Sequence, residues 1–314
     1  MSKKVLITSR SFGKISNEPL DILTGAGFEV TMKGKDFDQA EFEAMIPDYD
    51  ALIIGAHEFP EAVMERCPKL KIICKHGAGL DNIHLEKAKE LGIAVCNVPG
   101  TNSNAVADLT FGLMLAVARN IVSTNRWVHE GRWQTAIGVD VCGKTLGLMG
   151  FGAIAKNVAR RASGFGMKVL AYDLYPNDSG KAIAEYVDLD TLLAQSDVVF
   201  LHCNLTADNE KMINKASIAK MKDGAILINN SRGQLIDEQD VTDALKAGKL
   251  AAAGLDVVYT EPIRADNPLL TAPNCIITPH MSWGAKEARQ RIMDCTADNI
   301  RAYLDGAPIH VVNP

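Results

Sequence analysis

Residues 150 to 155 read GFGAIA and follow directly on an apolar run, TLGLM. Gly150, Gly152 and Ala155 have the spacing of a GxGxxA turn, in which the first glycine permits the tight turn and the second lets the backbone approach a pyrophosphate. The small third residue lets the following helix pack closely on the strand. The next apolar run, MKVLAYD, ends in Asp173, where a carboxylate can accept hydrogen bonds from an adenosine ribose. Together these features predict a dinucleotide-binding site.

The predicted cofactor is NAD. A helix that starts at Ala153 and Ile154 offers free N–H groups and a positive dipole end to the phosphates. The carboxylate of Asp173 would repel a 2′-phosphate, and residues 174–177 contain no arginine that could neutralise it. We therefore expect NAD to be preferred over NADP.

The pattern of apolar runs predicts an α/β fold with two doubly wound parallel sheets. Five strand-like runs alternate with helical stretches before residue 100, and six more follow from Gly143 onward: TLGLM, MKVLAYD, DVVFLHC, GAILINN, LAAAGLDVV and CIITPH. Six parallel strands is the count of a complete dinucleotide-binding sheet. The domain boundary is expected near Gly100, and an amphipathic helix that begins near Ala285 is expected to return to the first domain.

Residues 103–131 read as one long helix that is apolar almost all round in its first half. Such a helix is expected to be buried on several sides, either between domains or, as an alternative, also against its copy in a homodimer. Seven dispersed cysteines with no CxxC pattern are expected to be reduced core residues, and no metal site is expected.

Composition argues against several partners. The chain has 314 residues and a formal net charge of -5 with scattered basic residues, so a nucleic-acid or anionic-membrane partner is not expected. No apolar run approaches the roughly 18 residues of a membrane span, and the first residues do not form a signal peptide. The expected location is the cytoplasm.

Four reactive side chains stand after successive predicted strands: Arg232, Asp256, Glu261 and His280. Each one alone has an ordinary structural explanation, as a turn, cap or core residue. Ligands of open α/β sheets bind beyond the carboxyl ends of the strands, so all four can face one crevice. Carbonyl reduction needs a group that holds the substrate and a group that moves a proton, and an arginine and a histidine fit these roles.

Six ordered motifs resemble those of the D-isomer-specific 2-hydroxyacid dehydrogenases across essentially the whole chain. They are HGAGLDNI, NVPGTNSNAVAD, GKTLGLMGFGAIA, NNSRGQLIDE, GLDVVYTEP and TPHMSWGAKEA. The resemblance implies a Rossmann NAD-binding domain, residues 101–284, inserted in a flavodoxin-like substrate domain of residues 1–100 plus 285–314. Three departures are Ala155 where glycine is frequent, Asn204 where proline is usual, and Ser231 where alanine is frequent.

The resemblance also implies the site residues. Arg232, Glu261 and His280 correspond to the catalytic arginine, glutamate and proton-transferring histidine, and Gly77, Ala78 and Gly79 with Arg232 correspond to the substrate carboxylate site. The implied cofactor contacts are Gly150, Gly152, Ala153, Ile154, Asp173, Thr206, Ser231, Asp256 and Gly284. Glu261 is expected to favour the imidazolium form of His280.

The substrate is expected to be a small 2-hydroxy or 2-oxo acid. A phosphoglycerate dehydrogenase-like activity is favoured because the N-terminal stretch, HGAGLDN and NVPGTNSNAVAD resemble those enzymes. Arg10, Lys14, Lys75 and His76 can supply positive charge for a phosphate, although Arg10 and Lys14 can equally be solvated loop charges. The alternative is glyoxylate or hydroxypyruvate (glycerate) reductase activity, which the MSWGAKEARQR region resembles. An NAD-sensing corepressor-like binding protein is a further alternative of a different class.

Overall fold

The computed structural model describes residues 3–314 and forms two compact units. One unit contains the described residues up to Asn102 together with Gly284–Pro314, and the other contains Ser103–Trp283. Along the chain, the second unit is therefore inserted between two parts of the first.

A five-stranded parallel sheet in the order β2-β1-β3-β4-β5 forms the centre of the first unit. Its strands are β1 (Lys3–Ile7), β2 (Phe28–Met32), β3 (Ala51–Ile54), β4 (Ile72–Lys75) and β5 (Ala94–Cys96). The helices between them are α1 (Glu18–Gly25), α2 (Gln39–Met45), α3 (Glu61–Met64) and α4 (Leu85–Glu90). This is the flavodoxin-like strand order. Apolar side chains pack on both faces of the sheet, as expected for a parallel sheet.

A seven-stranded parallel sheet in the order β12-β11-β10-β9-β6-β7-β8 forms the centre of the second unit. Its strands are β6 (Thr145–Met149), β7 (Lys168–Tyr172), β8 (Glu185–Tyr186), β9 (Val198–Leu201), β10 (Ala225–Asn229), β11 (Leu250–Leu255) and β12 (Cys275–Ile277). Its helices are α5 (Ser103–Ala118), α6 (Ile121–His129), α7 (Ala153–Gly164), α8 (Asp178–Lys181), α9 (Leu189–Gln195), α10 (Lys215–Lys220) and α11 (Glu238–Lys246).

Both sheets confirm the predicted α/β class with two doubly wound parallel domains. The order of β6 to β11 is that of the Rossmann fold. The expected count of six strands was wrong by one, because the edge strand β8 has only two residues and leaves no periodic signal.

The single long helix expected over residues 103–131 is two helices. Asn120 has a left-handed backbone (φ 55°) between α5 and α6, and the two helix axes differ in direction by 64°. The apolar surface of α5 is buried against α7, β10 and β11 of its own unit. Much of the exposed apolar surface lies instead on α6 and in the segment after it.

The last helix, α12 (Lys286–Leu304), belongs to the first unit and packs on α1 and β4. Beyond it, Val311 forms an antiparallel bridge with Cys96, and Val312 N donates to Val95 O at 2.9 Å. The chain thus returns to the free edge of β5, although no strand was expected there.

Several absences apply to residues 3–314 only. No single helix there is long and apolar enough to cross a membrane, and only α5 and α6 taken together, across their bend, meet the length and composition of a span. No group of three histidine, cysteine or acidic side chains in these residues is placed to hold a metal ion. The cysteines form no disulfide, but Cys142 is exposed and is therefore not a core residue as expected.

Candidate active site

The glycine-rich turn joins β6 to α7. Gly150 has φ 87°, and a Cβ atom on it would lie 2.6 Å from the backbone nitrogen of Cys203, so only glycine fits. A Cβ on Gly152 would meet no atom within 4 Å, which means that this side of the turn is open to a ligand. Ala153 and Ile154 begin α7 directly after it. An open backbone face at a helix N-terminus fits a pyrophosphate group.

Asp173 follows β7 and is tied to the glycine-rich turn. Its Oδ2 accepts a hydrogen bond from Phe151 N at 2.6 Å, and its Oδ1 accepts one from Tyr175 N at 2.8 Å. Each carboxylate oxygen has a second lone pair, so the group can still accept hydrogen bonds from ribose hydroxyls. The residues of this region therefore fit an adenine dinucleotide.

No role for Lys156 was predicted from the sequence. Its Nζ donates to Ser179 Oγ at 2.8 Å and to Asn177 Oδ1 at 3.2 Å, on the loop that follows Asp173. Residues 174–177 contain no basic side chain, and Lys156 on α7 places a positive charge beside them instead. The contact joins residues more than 20 positions apart, so no local pattern indicates it.

The other predicted cofactor residues lie on separate loops. Ser231 Oγ donates to the carbonyl of Cys203 at 2.5 Å, which ties the loop after β10 to the end of β9. The exposed Thr206 lies on the loop after β9, where its N–H donates to Asn209 Oδ1 at 2.8 Å. Gly284 belongs to the first unit. The structure does not test their contacts with a cofactor, which stay predictions.

Asp256 follows β11, and its carboxylate is fully buried. Oδ1 accepts hydrogen bonds from Thr278 Oγ1 at 2.5 Å and Met281 N at 2.9 Å, and Oδ2 accepts one from Ser282 N at 2.8 Å. These bonds fix the loop that carries His280. The predicted cofactor contact of Asp256 is therefore accompanied by a structural role that the sequence did not indicate.

His280 and Glu261 form a direct pair. His280 Nδ1 lies 2.8 Å from Glu261 Oε2, and both side chains are partly exposed. His280 has φ 49°, and its N–H donates to the carbonyl of Asp256 at 2.8 Å. Trp283 Nε1 donates to the carbonyl of His280 at 2.9 Å. Because Nδ1 is engaged, Nε2 is the ring nitrogen that can exchange a proton with a ligand.

The charge of Glu261 is stabilised by its surroundings. Burial by itself would raise the pKa of this carboxyl, whereas the hydrogen bond and the electrostatic interaction with His280 lower it. The N–H of Val258 and the charge of Arg232 act in the same direction, so the pKa lies below its usual value. Arg232, Glu261 and His280 are thus brought together, as the sequence predicted.

The HGAGLDN turn follows β4 in the first unit. The carbonyl oxygens of Gly77 and Ala78 accept hydrogen bonds from Val98 N (3.4 Å) and Asn97 Nδ2 (2.9 Å). The protein itself thus engages these carbonyl groups, which fits a turn that uses its N–H groups to hold an anion.

Two of the residues proposed to supply charge for a phosphate are held inside the first unit. Lys75 is 9% exposed, and its Nζ donates to Gly55 O and to Asn82 Oδ1, both at 2.6 Å. Burial, together with the charges of Lys75 and Arg289, lowers the pKa of His76 to about 3, so this side chain is neutral. These contacts do not support the expectation that Lys75 and His76 offer charge to a ligand. Arg10 and Lys14 are exposed.

Comparisons with known proteins agree with this geometry. Residues 111–282 match the family model described as D-isomer specific 2-hydroxyacid dehydrogenase, NAD binding domain. The chain is 44% identical over 285 residues to a hydroxypyruvate reductase of Blautia hydrogenotrophica, with 88% of each chain covered. It is 38% identical over 300 residues to a D-3-phosphoglycerate dehydrogenase of Archaeoglobus fulgidus, which covers 94% of this chain and 57% of that protein.

A solved structure is similar over nearly the whole chain. The crystal structure of a glyoxylate reductase from Paecilomyes thermophila superposes with a TM-score of 0.90 at 30% sequence identity, covering 99% of this chain and 98% of that one. The fold of this chain is therefore shared with a glyoxylate reductase.

Proposed function

Since the chain belongs to the D-isomer specific 2-hydroxyacid dehydrogenase family, we propose that it is a reductase of small, unphosphorylated 2-oxo acids such as hydroxypyruvate and glyoxylate. The chain is an NAD-dependent oxidoreductase of 2-hydroxy acids, as expected, and the corepressor-like alternative is not supported. The observation that carries the choice of substrate is the similarity to a hydroxypyruvate reductase, and the 2.8 Å pair of His280 and Glu261 beside Arg232 supports the reduction itself.

Each member of this group has a proposed role. The chemistry that bound NADH supplies is a hydride for the carbonyl carbon. Arg232 holds the substrate carboxylate through its planar, permanently charged guanidinium. His280 donates a proton from Nε2 to the carbonyl oxygen, and Glu261 orients the ring through its contact with Nδ1. A substrate-binding role is also proposed for the N–H groups of the turn from Gly77 to Gly79.

Each of the two units is assigned a part in this reaction. We assign residues 101–284 to NAD binding, which the family match to residues 111–282 supports. Residues 1–100 and 285–314 are assigned to the substrate domain, which contributes the Gly77 to Gly79 turn.

Contacts within the first unit support a substrate that has no phosphate group. Lys75 and His76 are committed to internal contacts, which leaves Arg10 and Lys14 as the exposed cations among the four that were considered. Isolated exposed cations bind a phosphate weakly, because water screens their charge. Phosphoglycerate dehydrogenase activity is the second candidate, supported by the similarity to the Archaeoglobus protein.

The test is NADH oxidation by the purified protein with hydroxypyruvate, glyoxylate, pyruvate, longer 2-oxo acids and 3-phosphohydroxypyruvate, compared by kcat/KM. We expect hydroxypyruvate or glyoxylate to exceed the phosphorylated acid. A higher kcat/KM for 3-phosphohydroxypyruvate would refute the proposal and establish the second candidate.

We also propose that the protein is a homodimer that uses α6 and the segment after it. Trp133 and Ile137 are 91% and 99% exposed, and Ile121 and Val122 on α6 are more than half exposed. Contiguous exposed apolar side chains mark interaction surfaces. Light scattering after size-exclusion chromatography should give a dimer for the wild type and a monomer for the variant Trp133→Ser, Ile137→Ser. A monomeric wild type would refute the proposal.

A further inference from the structure

Asn229 is the last residue of β10, and its side chain is completely buried. A buried amide without partners is destabilising, so its hydrogen bonds indicate why it is placed there. Nδ2 donates to the carbonyl of Arg232 at 2.8 Å, and Oδ1 accepts from Ser231 N at 3.0 Å. One side chain therefore closes the turn that carries the arginine.

Two further contacts fix the same turn. Ser231 Oγ donates to the carbonyl of Cys203 at 2.5 Å. Gly233 packs directly on Val258, because a Cβ atom on it would lie 2.0 Å from the carbonyl carbon of that residue. The turn is thus attached to the ends of β9 and β11, and the Asn229 amide is what gives it its internal shape.

The shape of the turn also affects the guanidinium of Arg232. Arg232 Nη1 donates to the carbonyl of Ser231 at 2.8 Å, so the side chain is held against the turn from which it projects. A two-point contact between a guanidinium and a carboxylate tolerates little rotation of either partner. A change in the turn is therefore transmitted directly to the guanidinium.

We propose that Asn229 is a positioning residue that sets the direction in which Arg232 presents its guanidinium to the substrate carboxylate. The inference rests on the proposed function of Arg232. Asn229 acts through the turn and touches neither substrate nor cofactor. A misplacement of about 1 Å in a substrate-binding group costs as much as about 100-fold in rate, so the effect is measurable.

The test uses Asn229→Asp, which keeps the size of the side chain and the acceptor for Ser231 N and, in its ionised form, removes the donor to Arg232 O. We expect KM for the preferred 2-oxo acid to rise roughly tenfold to 100-fold, with kcat changed less and the Kd of NADH, measured by its fluorescence, changed less than about twofold. Unchanged KM in a folded variant would overturn the inference.

The matched control is Asn313→Asp. Asn313 bridges backbone groups in the same way, since Nδ2 donates to Ile93 O at 2.9 Å and Oδ1 accepts from Val95 N at 2.7 Å. It belongs to the first unit and touches no proposed site residue, so KM should remain that of the wild type. An equal rise in KM for this control would attribute the effect to general loss of stability and overturn the inference.

A double-mutant cycle with Arg232→Lys separates positioning from other effects. If Asn229 acts through the guanidinium, Asn229→Asp changes KM by less than about twofold once Arg232 is lysine, whereas additive effects would contradict the inference. Should Asn229→Asp fail to fold, the uncharged variant Asn229→Ser takes its place, with the same expected direction. Absence of turnover by the wild type on every 2-oxo acid would instead refute the proposed function.

Discussion

Nδ1 of His280 lies 2.8 Å from Oε2 of Glu261, at a position where the His280 backbone is left-handed and its N–H is bound by the carbonyl of Asp256. The contact with Glu261 thus orients the His280 ring, and the hydrogen bond to Asp256 fixes the backbone that carries it. A second histidine–glutamate pair, His84 with Glu61 at 3.1 Å, lies near the start of α4 without an arginine among its contacts. His84 therefore serves as a control for the chemical role of His280.

His280→Ala should lower the single-turnover rate of 2-oxo acid reduction by on the order of 10²–10⁴-fold, because the proton donor is lost. The Kd of NADH should stay close to that of the wild type. His84→Ala removes the histidine of the other pair and should leave the rate unchanged. Near-wild-type turnover by His280→Ala would show that another group donates the proton.

Asp173→Asn should weaken the discrimination against NADPH. The substitution removes the negative charge that repels a 2′-phosphate, and we expect the ratio of kcat/KM for NADPH to that for NADH to rise at least about tenfold. Asp178→Asn changes the exposed carboxylate at the start of α8, which pairs with Lys181, and should leave the ratio unchanged. Equal ratios in the wild type and Asp173→Asn would contradict the assigned role.

Lys75→Met should destabilise the protein without changing its choice between phosphorylated and unphosphorylated substrates. Its removal leaves Gly55 O and Asn82 Oδ1 without this donor, which costs about 1–3 kcal/mol in the free energy of unfolding. Urea denaturation measures the cost, with Lys71→Met at an exposed lysine as the control. A selective loss of activity toward 3-phosphohydroxypyruvate would instead identify Lys75 as a phosphate ligand.

His202 predicts a dependence of stability on pH. Its ring nitrogens are buried and have no hydrogen-bond partner among the residues described, and burial lowers its pKa to about 3. As the pH falls below 6.5, His202 binds a proton in the unfolded chain but not in the folded chain. The contribution of His202 to stability is therefore fully present above pH 6.5 and is lost as the pH falls toward about 3. The contribution of this group is a slope of about 1.4 kcal/mol per pH unit within that range.

His202→Leu should remove this slope and cost little stability at pH 7.5, because the imidazole nitrogens that it replaces make no hydrogen bond. Urea denaturation between pH 4.5 and 7.5 measures the difference from the wild type. His84→Gln, at an exposed histidine of the first unit, should retain the wild-type slope. An unchanged slope in His202→Leu would mean that His202 is protonated in the folded protein.

The fold and the main residues of the site were predictable because their signals are local. The turn from Gly150 to Ala155, the acid at Asp173 and the strand-end positions of Arg232 and His280 follow from spacing along the chain. The contacts of Lys75 with Gly55, of Lys156 with Ser179 and of Asp256 with Ser282 join distant segments, and no periodicity encodes them. The break at Asn120 was missed because an apolar helical pattern continues on both sides of it.

The insertion of Ser103–Trp283 into the first unit has a consequence for biosynthesis. The inserted unit is contiguous, so it can fold as soon as its last strand has left the ribosome. The first unit must wait for residues that are translated some 180 positions later, because α12 covers β4 and packs on α1. Until then, the apolar face that α12 covers is exposed on the nascent chain, and this is the interval in which a chaperone would act.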